Sequence, residues 1–381
     1  MERDEAVRLM TEARRRLHGT PEPAFCERAT REYVMKLLRE HTSLELHDEG
    51  EYIYAVHREG AEETIAFRAD LDAVPTENGA CHLCGHDGHT AALVGLALLL
   101  EGRRVGRNVI LLFQPAEETG FGAPACMGLF DKENVSAMYG AHNIPGEELG
   151  RVVLRRGTFA CASCGLEIAM RGAPAHAAYP ENGVNPTEAL ARLAVRIPEY
   201  ARELTAKYGC MTLATVVGMR VGEKAFGVAA SAGELWVTLR SENEKAFEEL
   251  KYFACSYART MTSDERTNAS DERTNASDER LKVAFAEYDP FPATVNDDGL
   301  VTSLEKLLAK RGIPFGYAPV PFRWSEDFGH YGRRTRACFM GIGSGKDTPP
   351  LHTARYEYPD ALVPVAAELF LAIAEGGTEA L

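Results

Sequence analysis

In NVILLFQPAEETG, residues 108–120, a short apolar run over residues 108–113 is followed by two adjacent carboxylates. TIAFRADLD, residues 64–72, has the same form. Short apolar runs without polar alternation are typical of strands that are buried on both faces. Between the two runs, residues 87–101 carry Ala, Leu and Val at helical spacing. This alternation of strand, helix and strand predicts an α/β fold with a largely parallel sheet and crossover helices.

Side chains that carry chemistry follow the predicted strands where each strand ends. Asp70 and Asp72 follow the first strand, Glu117 and Glu118 follow the second, and His142 follows a short later run. In such sheets, functional residues collect beyond the carboxyl ends of the strands. Adjacent side chains in extended structure point to opposite sides, so one glutamate can bind metal while its neighbour faces the substrate as general base. Two adjacent glutamates alone would indicate only a solvated acidic turn.

A different pattern begins near Gly165 and predicts a second domain. Strands and helices follow one another there in the order β-α-β-β-α-β, which is typical of a ferredoxin-like module. Alternation of helix and strand resumes after Pro290. We therefore expect a discontinuous α/β domain over residues 1–164 and 290–381, interrupted by an inserted α+β domain over residues 165–289.

The segment SDERTNA-SDERTNA-SDER, residues 263–280, is a tandem repeat of period seven inside the predicted insertion. Alanine is its only apolar residue, so the repeat offers no coiled-coil seam. Its mixed charges argue against a charged binding tail. We expect an exposed, solvated helix extension or loop.

Composition excludes some partners. The chain of 381 residues has a formal net charge of −14 and a pI near 5.4, which argues against nucleic acid and anionic membrane surfaces. The charged N-terminus has no apolar core of a signal peptide, and the longest apolar run is too short to span a bilayer. Nine scattered cysteines fit a reducing compartment better than a disulfide framework. The cytoplasm is the expected location.

CHLCGHDGH, residues 81–89, admits two metal interpretations. One is a structural zinc site held by Cys81, Cys84, His86 and His89 alone, but such sites use two separated knuckles. Alternatively, the segment supplies half of a dispersed catalytic site. The spacing of Cys84 and His86 lets both side chains point the same way, and His82 shares that parity. His89 is expected in the first turn of the following helix, away from the ligands.

Motifs along nearly the whole chain carry a family resemblance. They are FRADLDAVP, HLCGHDGHTA, LLFQPAEETGFGA, GAHNIPG, RGAPAHAAYPENGVNP, VTLRS, DPFPATVND, WSEDFGHY, GIGSG and LHTARYEY. The chain resembles the N-acyl-amino-acid amidohydrolase branch of the aminoacylase and carboxypeptidase superfamily of di-metal hydrolases. That branch includes hippurate hydrolases, indole-acetyl-amino-acid hydrolases and N-acetyl-diaminopimelate deacetylases. The resemblance implies a zinc-exopeptidase-like catalytic domain and a lid domain that dimerises.

The resemblance also implies the roles of individual residues. Glu117 would be the general base and acid. Two divalent cations would be bound by Cys84, His86, Glu118, His142 and His352. A thiolate with imidazoles suits zinc, and carboxylates also admit manganese. The family leaves manganese, zinc, cobalt and nickel open.

Further residues are implied to bind substrate or to position the ligands. His176 resembles a lid histidine that reaches the active site of the partner subunit in a homodimer, where it would stabilise the oxyanion. Arg240 would bind the substrate carboxylate. A turn that lines the site would contain Gly341 and Gly343. The expected partners of the ligating imidazoles are Asp72 and Asp87, although local hydrogen bonding in a loop explains both aspartates equally well.

The leading hypothesis is a metal-dependent amidohydrolase that acts on small-molecule N-acyl amino acids. A dipeptidase or carboxypeptidase of the same superfamily is the nearest alternative. A binding protein that retains an inactive site is the second alternative. Two departures from the family bear on the substrate: the short loop between Pro75 and His82, and the segment 225–230, which lacks the Asn-Val-Ile-Pro run of relatives.

Overall fold

A computed structural model describes residues 2–262 and 281–376, so the SDERTNA repeat lies outside the described residues. The chain divides into two compact units. The first unit comprises Met1–Ala160 and Thr294–Leu381, and the second comprises Cys161–Ala293.

The helices of the described chain are α1 (Arg3–His18), α2 (Arg28–His41), α3 (His86–Leu100), α4 (Gly122–Ala125), α5 (Leu129–Lys132), α6 (Thr187–Tyr208), α7 (Glu244–Thr260), α8 (Asp298–Arg311) and α9 (Leu362–Glu375). Short 3₁₀ turns span Glu117–Thr119, Cys126–Gly128, Pro180–Asn182 and Asp327–Arg333. Each of these helices is too short or too polar to cross a lipid bilayer.

The strands of the described chain are β1 (Glu45–Asp48), β2 (Ile53–His57), β3 (Thr64–Asp70), β4 (Val74–Thr76), β5 (Gly79–Cys81), β6 (Asn108–Gln114), β7 (Ala137–Pro145), β8 (Val152–Leu154), β9 (Gly157–Ala160), β10 (Ala162–Arg171), β11 (Ala175–His176), β12 (Thr212–Val221), β13 (Val228–Ala229), β14 (Ala232–Ser241), β15 (Lys282–Phe291), β16 (Thr294–Asn296), β17 (Phe315–Tyr317) and β18 (Arg336–Gly345).

The first unit is built on an eight-stranded mixed sheet in the order β1-β2-β6-β3-β7-β18-β8-β17. Its centre is parallel, because β3 pairs in parallel with β6 and β7, and β7 pairs in parallel with β18. Every residue of β3 and β6 is buried, as expected of strands covered on both faces. The α/β fold with a mostly parallel sheet, predicted from these two runs, is therefore confirmed.

Helix α3 runs through the core of the first unit. All of its residues are buried, and it packs against α1 and α9. A side chain at Gly88 is excluded, because an added Cβ would lie 2.3 Å from the Tyr358 ring. Gly85, which precedes the helix, adopts φ 99°, a left-handed conformation that favours glycine. The HLCGHDGH glycines thus allow close packing and the sharp turn into α3.

The second unit has a four-stranded antiparallel sheet in the order β12-β14-β10-β15. Its elements follow one another as β10, α6, β12, β14, α7 and β15, the predicted β-α-β-β-α-β order. Leu166 and Ile168 on β10 pack with Leu193 of α6 and Leu250 of α7 in its core. The Asn243 side chain caps α7 by accepting a hydrogen bond from Ala246 N at 3.1 Å.

Candidate metal centre

Three parallel strands position the candidate centre. Strand β3 ends at Asp70, β6 is followed by the turn that carries Glu117 and Glu118, and β7 carries His142. Because β6, β3 and β7 are neighbours in the sheet, their carboxyl ends lie side by side.

The structure brings all five sequence-predicted ligands together. Donor atoms of Cys84, His86 and His142 lie within 4.8 Å of one another, and so do those of Cys84, Glu118 and His352. Cys84 Sγ is 3.3 Å from His142 Nε2. Cys84, His86 and His142 are buried, whereas the His352 side chain is 51% exposed. Cys84 therefore joins a buried group of donors to a partly exposed one.

Hydrogen bonds fix which imidazole nitrogen is available to a metal. His86 Nδ1 donates to Asp72 O at 2.9 Å, and His142 Nδ1 donates to Asn143 O at 2.9 Å. Each histidine therefore presents Nε2 as the available donor atom. Asp72 also accepts a hydrogen bond from Glu118 N at 3.0 Å. This aspartate thus positions two of the predicted ligands at once, one through its backbone carbonyl and one through its carboxylate.

Two of the buried donor atoms lack hydrogen-bond partners. Within the described residues, His86 Nε2 and Glu118 Oε1 form no hydrogen bond, and they lie 3.7 Å apart. Buried polar atoms are normally paired. Unpaired nitrogen and oxygen donors beside the Cys84 sulfur form a set that suits a divalent transition metal. The residues present therefore fit a metal centre.

Electrostatics at the centre follow from burial and close charges. Burial raises the pKa of the Cys84 thiol. Burial opposes charge on His86, but Asp70 and Cys84 hold its pKa well above the ordinary value. Burial also holds the pKa of His142 well below its usual range. Contacts with Cys84 and Glu118 raise the pKa of His352 to about 10.

His352 reaches this centre from an unusual backbone conformation. Its φ is 58°, in the left-handed region that side chains other than glycine seldom adopt. Its backbone N donates to Leu83 O at 2.8 Å, which ties the loop to the HLCGHDGH segment. Strain of this kind is found at functional sites, where surrounding structure holds it in place.

Glu117 lies beside the predicted ligands but in a different environment. It is buried, and its Oε2 is 3.7 Å from His86 Nε2. Oxygens of Glu117, Glu326 and Asp327 also lie within 4.8 Å of one another. Burial, then the charges of Glu326 and Glu118, holds the pKa of Glu117 well above its ordinary value. A buried carboxyl with a raised pKa is typical of a catalytic acid or base.

A buried arginine that contacts the acidic neighbours of Glu117 was not predicted from the sequence. Arg68 Nε donates to Gln114 at 2.8 Å, and its Nη atoms donate to Asp70 at 2.9 Å and to Glu326 and Asp327 at 2.8 Å. The only local signal was a charged residue inside an apolar strand. Both acidic partners, Glu326 and Asp327, belong to the WSEDFGHY motif, to which the family resemblance assigned no role.

The expectation for His89 was wrong in part. His89 does lie in the first turn of α3, but its ring centroid is only 4.8 Å from that of His142. Its Nδ1 is 2.7 Å from Asp70 Oδ1, and its Nε2 is 2.6 Å from Asn143 Oδ1. Both nitrogens are occupied, so His89 supports the centre instead of offering a ligand atom.

The remaining residues of CHLCGHDGH lie outside the groups of close donor atoms. Cys81 is exposed. His82 is buried, and burial lowers its pKa to about 4. The Asp87 carboxylate accepts a hydrogen bond from His18 Nδ1 at 2.8 Å and lies 3.6 Å from Arg14. Asp87 therefore contacts two residues of α1 that are distant in sequence, and it neither positions a predicted ligand, as Asp72 does, nor bonds locally within a loop.

Gly341 and Gly343 lie in β18, where packing accounts for both glycines. Gly341 is paired with His142 across the sheet, and an added Cβ would lie 2.6 Å from Ile144. An added Cβ at Gly343 would lie 2.0 Å from Glu148 O. Gly341 is thus a direct neighbour of a predicted ligand along the sheet.

Two predicted substrate-binding residues lie in the second unit. His176 is exposed on β11, and its Nδ1 accepts a hydrogen bond from Ala178 N at 3.0 Å. The imidazole proton must then reside on Nε2. Arg240 is partly buried on β14, and burial lowers its pKa.

Comparison with known proteins agrees with this architecture. A family model described as peptidase family M20/M25/M40 matches residues 66–376. An uncharacterised hydrolase of Staphylococcus aureus strain USA300 is 27% identical over 380 residues, which cover 94% of this chain and 95% of the relative. A dinuclear metal-binding peptidase of the M20 family from Bacillus subtilis superposes with a TM-score of 0.76 at 23% identity, over 98% of both chains.

A second solved structure is similar along its whole length. The aminobenzoyl-glutamate utilization protein from Klebsiella pneumoniae gives a TM-score of 0.69 at 23% identity, again over 98% of both chains. These two structures support the fold, and the family model spans most of the chain. The chain belongs to peptidase family M20/M25/M40 and is a metal-dependent hydrolase.

Proposed function

We propose that this hydrolase cleaves the amide bond of N-acyl amino acids. The observation that carries the proposal is a buried carboxyl, Glu117, beside a cluster of sulfur, imidazole and carboxylate donors. Amide hydrolysis needs an activated water, a polarised carbonyl and a proton for the leaving amine. This arrangement can supply all three requirements.

The donor cluster is proposed to hold two divalent cations. The groups of close donor atoms overlap, because Cys84, His86 and Glu118 each belong to more than one of them. This overlap favours a pair of neighbouring ions over a single ion. The proposed ligands are Cys84, His86, Glu118, His142 and His352. Bound divalent cations would lower the pKa of a water molecule and polarise the scissile carbonyl. Manganese or zinc suits this mixture of donors best, with cobalt or nickel as further possibilities.

Glu117 is the proposed general base and acid. It takes the proton of the attacking water and later delivers that proton to the leaving amine. Its raised pKa supports this role, because a carboxyl that titrates closer to neutral pH can both accept and donate. Asp72 keeps Glu118 and His86 in place during the reaction.

Four residues are proposed to bind the substrate. His176 presents Nε2–H as a donor to the developing oxyanion, since its Nδ1 is occupied by Ala178 N. Arg240 binds the carboxylate of the amino acid through its guanidinium. Gly341 and Gly343 line the site beside His142.

The expected assembly is a homodimer in which His176 acts in the active site of the partner subunit. Strand β12 supports this, because it is an edge strand of ten residues. It exposes Leu213, Val216, Val217 and Met219. A long edge strand with exposed apolar side chains is a ready template for pairing with a second chain. All nine cysteines are unpaired, which supports the proposed location in the reducing cytoplasm.

The names of the structural neighbours favour two substrate classes. Aminobenzoyl-glutamate, named in the Klebsiella protein, is itself an N-acyl amino acid. The Bacillus protein is described as a peptidase, which keeps a dipeptidase as the second candidate.

A substrate panel distinguishes these activities. The metal-reconstituted protein is incubated with N-acetyl, N-benzoyl and longer-acyl amino acids and with unblocked dipeptides, and amine release is measured. We expect faster hydrolysis of the N-acyl amino acids. Faster hydrolysis of the dipeptides would identify a dipeptidase. Silence across the panel, in protein shown to contain metal, would contradict both proposals.

A further inference from the structure

The turn that presents Glu117 is strained. Ala116, the residue before it, has φ 53°, in the left-handed region that alanine seldom adopts. Ala116 is also fully buried, and it begins the 3₁₀ turn Glu117–Thr119. Such a conformation persists only where surrounding structure holds it.

The backbone at Ala116 is held by a carboxyl from a distant part of the chain. Glu27 Oε1 accepts a hydrogen bond from Ala116 N at 2.8 Å. The same oxygen accepts from Phe25 N at 3.0 Å, and Phe25 is itself left-handed, with φ 61°. One carboxyl oxygen therefore bridges two strained residues that are far apart in sequence.

Capping of α2 does not explain this carboxyl. Glu27 directly precedes α2, but its side chain forms no capping hydrogen bond with that helix. Glu22 fills that role, because its carboxylate accepts from Ala29 N at 3.1 Å and from Thr30 N at 2.8 Å. Glu27 is 2% exposed, and burial raises its pKa to about 7. Burial of a carboxyl opposes its charged form, and the hydrogen bonds of Glu27 go to strained backbone of the kind that clusters at functional sites.

We propose that Glu27 is a positioning residue that holds the left-handed turn at Ala116 and thereby fixes the place of Glu117 beside His86. This inference rests on the proposed function, in which Glu117 is the general base. A displacement of about 1 Å at a catalytic group can lower the rate about 100-fold, so the hold on Ala116 matters for turnover.

Three variants of Glu27 and one matched control test this role. E27A removes the acceptor, E27D keeps the carboxylate but shortens its reach, and E27Q keeps an acceptor oxygen without charge. E22A is the control, since Glu22 also accepts two backbone N–H groups from the same segment but does not touch Ala116. Each variant is compared with wild type by steady-state kinetics and by hydrogen exchange of the peptide that contains Ala116.

The proposal predicts a lower kcat for E27A and E27D by about 100-fold with KM unchanged within about threefold. Exchange protection at Ala116 is lost in these two variants and kept in E27Q and E22A. E27Q retains most of the wild-type kcat, because geometry and not charge is required. If E27A does not fold, a higher kcat for E27Q than for E27D tests the same proposal.

Several results would overturn the proposal. These are wild-type exchange protection at Ala116 in E27A or E27D, a kcat of E27A equal to that of E22A, and a kcat of E27D above that of E27Q. Failure of wild type to hydrolyse any panel substrate would refute the proposed function instead. In that case the exchange comparison still decides whether Glu27 holds the turn.

Discussion

Replacing Arg68 with methionine would leave a buried cluster of carboxylates without their cation. The guanidinium donates to Asp70, Glu326 and Asp327, and all of these side chains are at most 1% exposed. Removing one partner from a buried ion pair costs about 3–5 kcal/mol, because the remaining charge is uncompensated. For a unit of this size, 1 kcal/mol lowers Tm by about 2–4 °C. We therefore expect R68M to lower the Tm of the first unit by about 6–20 °C.

The assay is scanning calorimetry of chelator-treated protein, so that metal binding does not contribute to stability. Arg151 provides the control, because its ion pair with Glu147 is exposed and R151M should cost less than about 1 kcal/mol. Burial favours the neutral form of Asp70, but the charges of His86, His89 and then Arg68 hold its pKa well below the ordinary value. Without Arg68 the carboxylates bind protons more readily, so the difference in Tm between wild type and R68M should decrease as pH falls. A Tm loss no larger than that of R151M at neutral pH would refute the reasoning.

Other parts of the structure yield further predictions. Burial raises the pKa of Glu27 from 4.5 to about 7. The neutral carboxyl therefore stabilises the folded state at low pH, and this stabilisation is lost as pH rises through 7. The stability of E27Q relative to wild type, measured by urea unfolding, should therefore rise by up to about 3 kcal/mol between pH 4.5 and 8. D72A should weaken metal binding about 10–100-fold in a competition assay with a chromogenic chelator. D87A is the control and should leave metal binding unchanged, because Asp87 contacts His18 and Arg14. V217K places a charge on the exposed edge strand β12 and should convert the proposed dimer into a monomer, as measured by light scattering. A284K, on the opposite edge strand β15, is the control and should leave the mass unchanged.

The sequence predicted the parts of the fold that local pattern encodes. The apolar runs before Asp70 and Glu117 form the buried strands β3 and β6, because segments without regular polar alternation need cover on both faces. Topology then places polar residues that follow such strands at one edge of the sheet. The clustering of donor atoms near His142 follows from this rule together with the family resemblance.

Contacts between distant segments were beyond local pattern. Arg68 binds Glu326, which lies 258 positions later, and no periodicity connects the two residues. Helical spacing placed His89 on α3, but it could not reveal that Asp70 of β3 and Asn143 of β7 hydrogen-bond to its ring. The hydrogen bond from Ala116 N to Glu27 Oε1 could not be predicted from the sequence for the same reason.

The central claim is tested most directly by the rate of amine release from an N-acyl amino acid by wild type and by E117Q, with metal content measured in both. The proposal predicts that E117Q retains the wild-type metal content, because Glu117 is not among the proposed ligands. Its kcat should fall by about 10²–10⁴-fold, the typical contribution of general acid–base catalysis. Equal rates at equal metal content would contradict the assignment of Glu117 as the catalytic base.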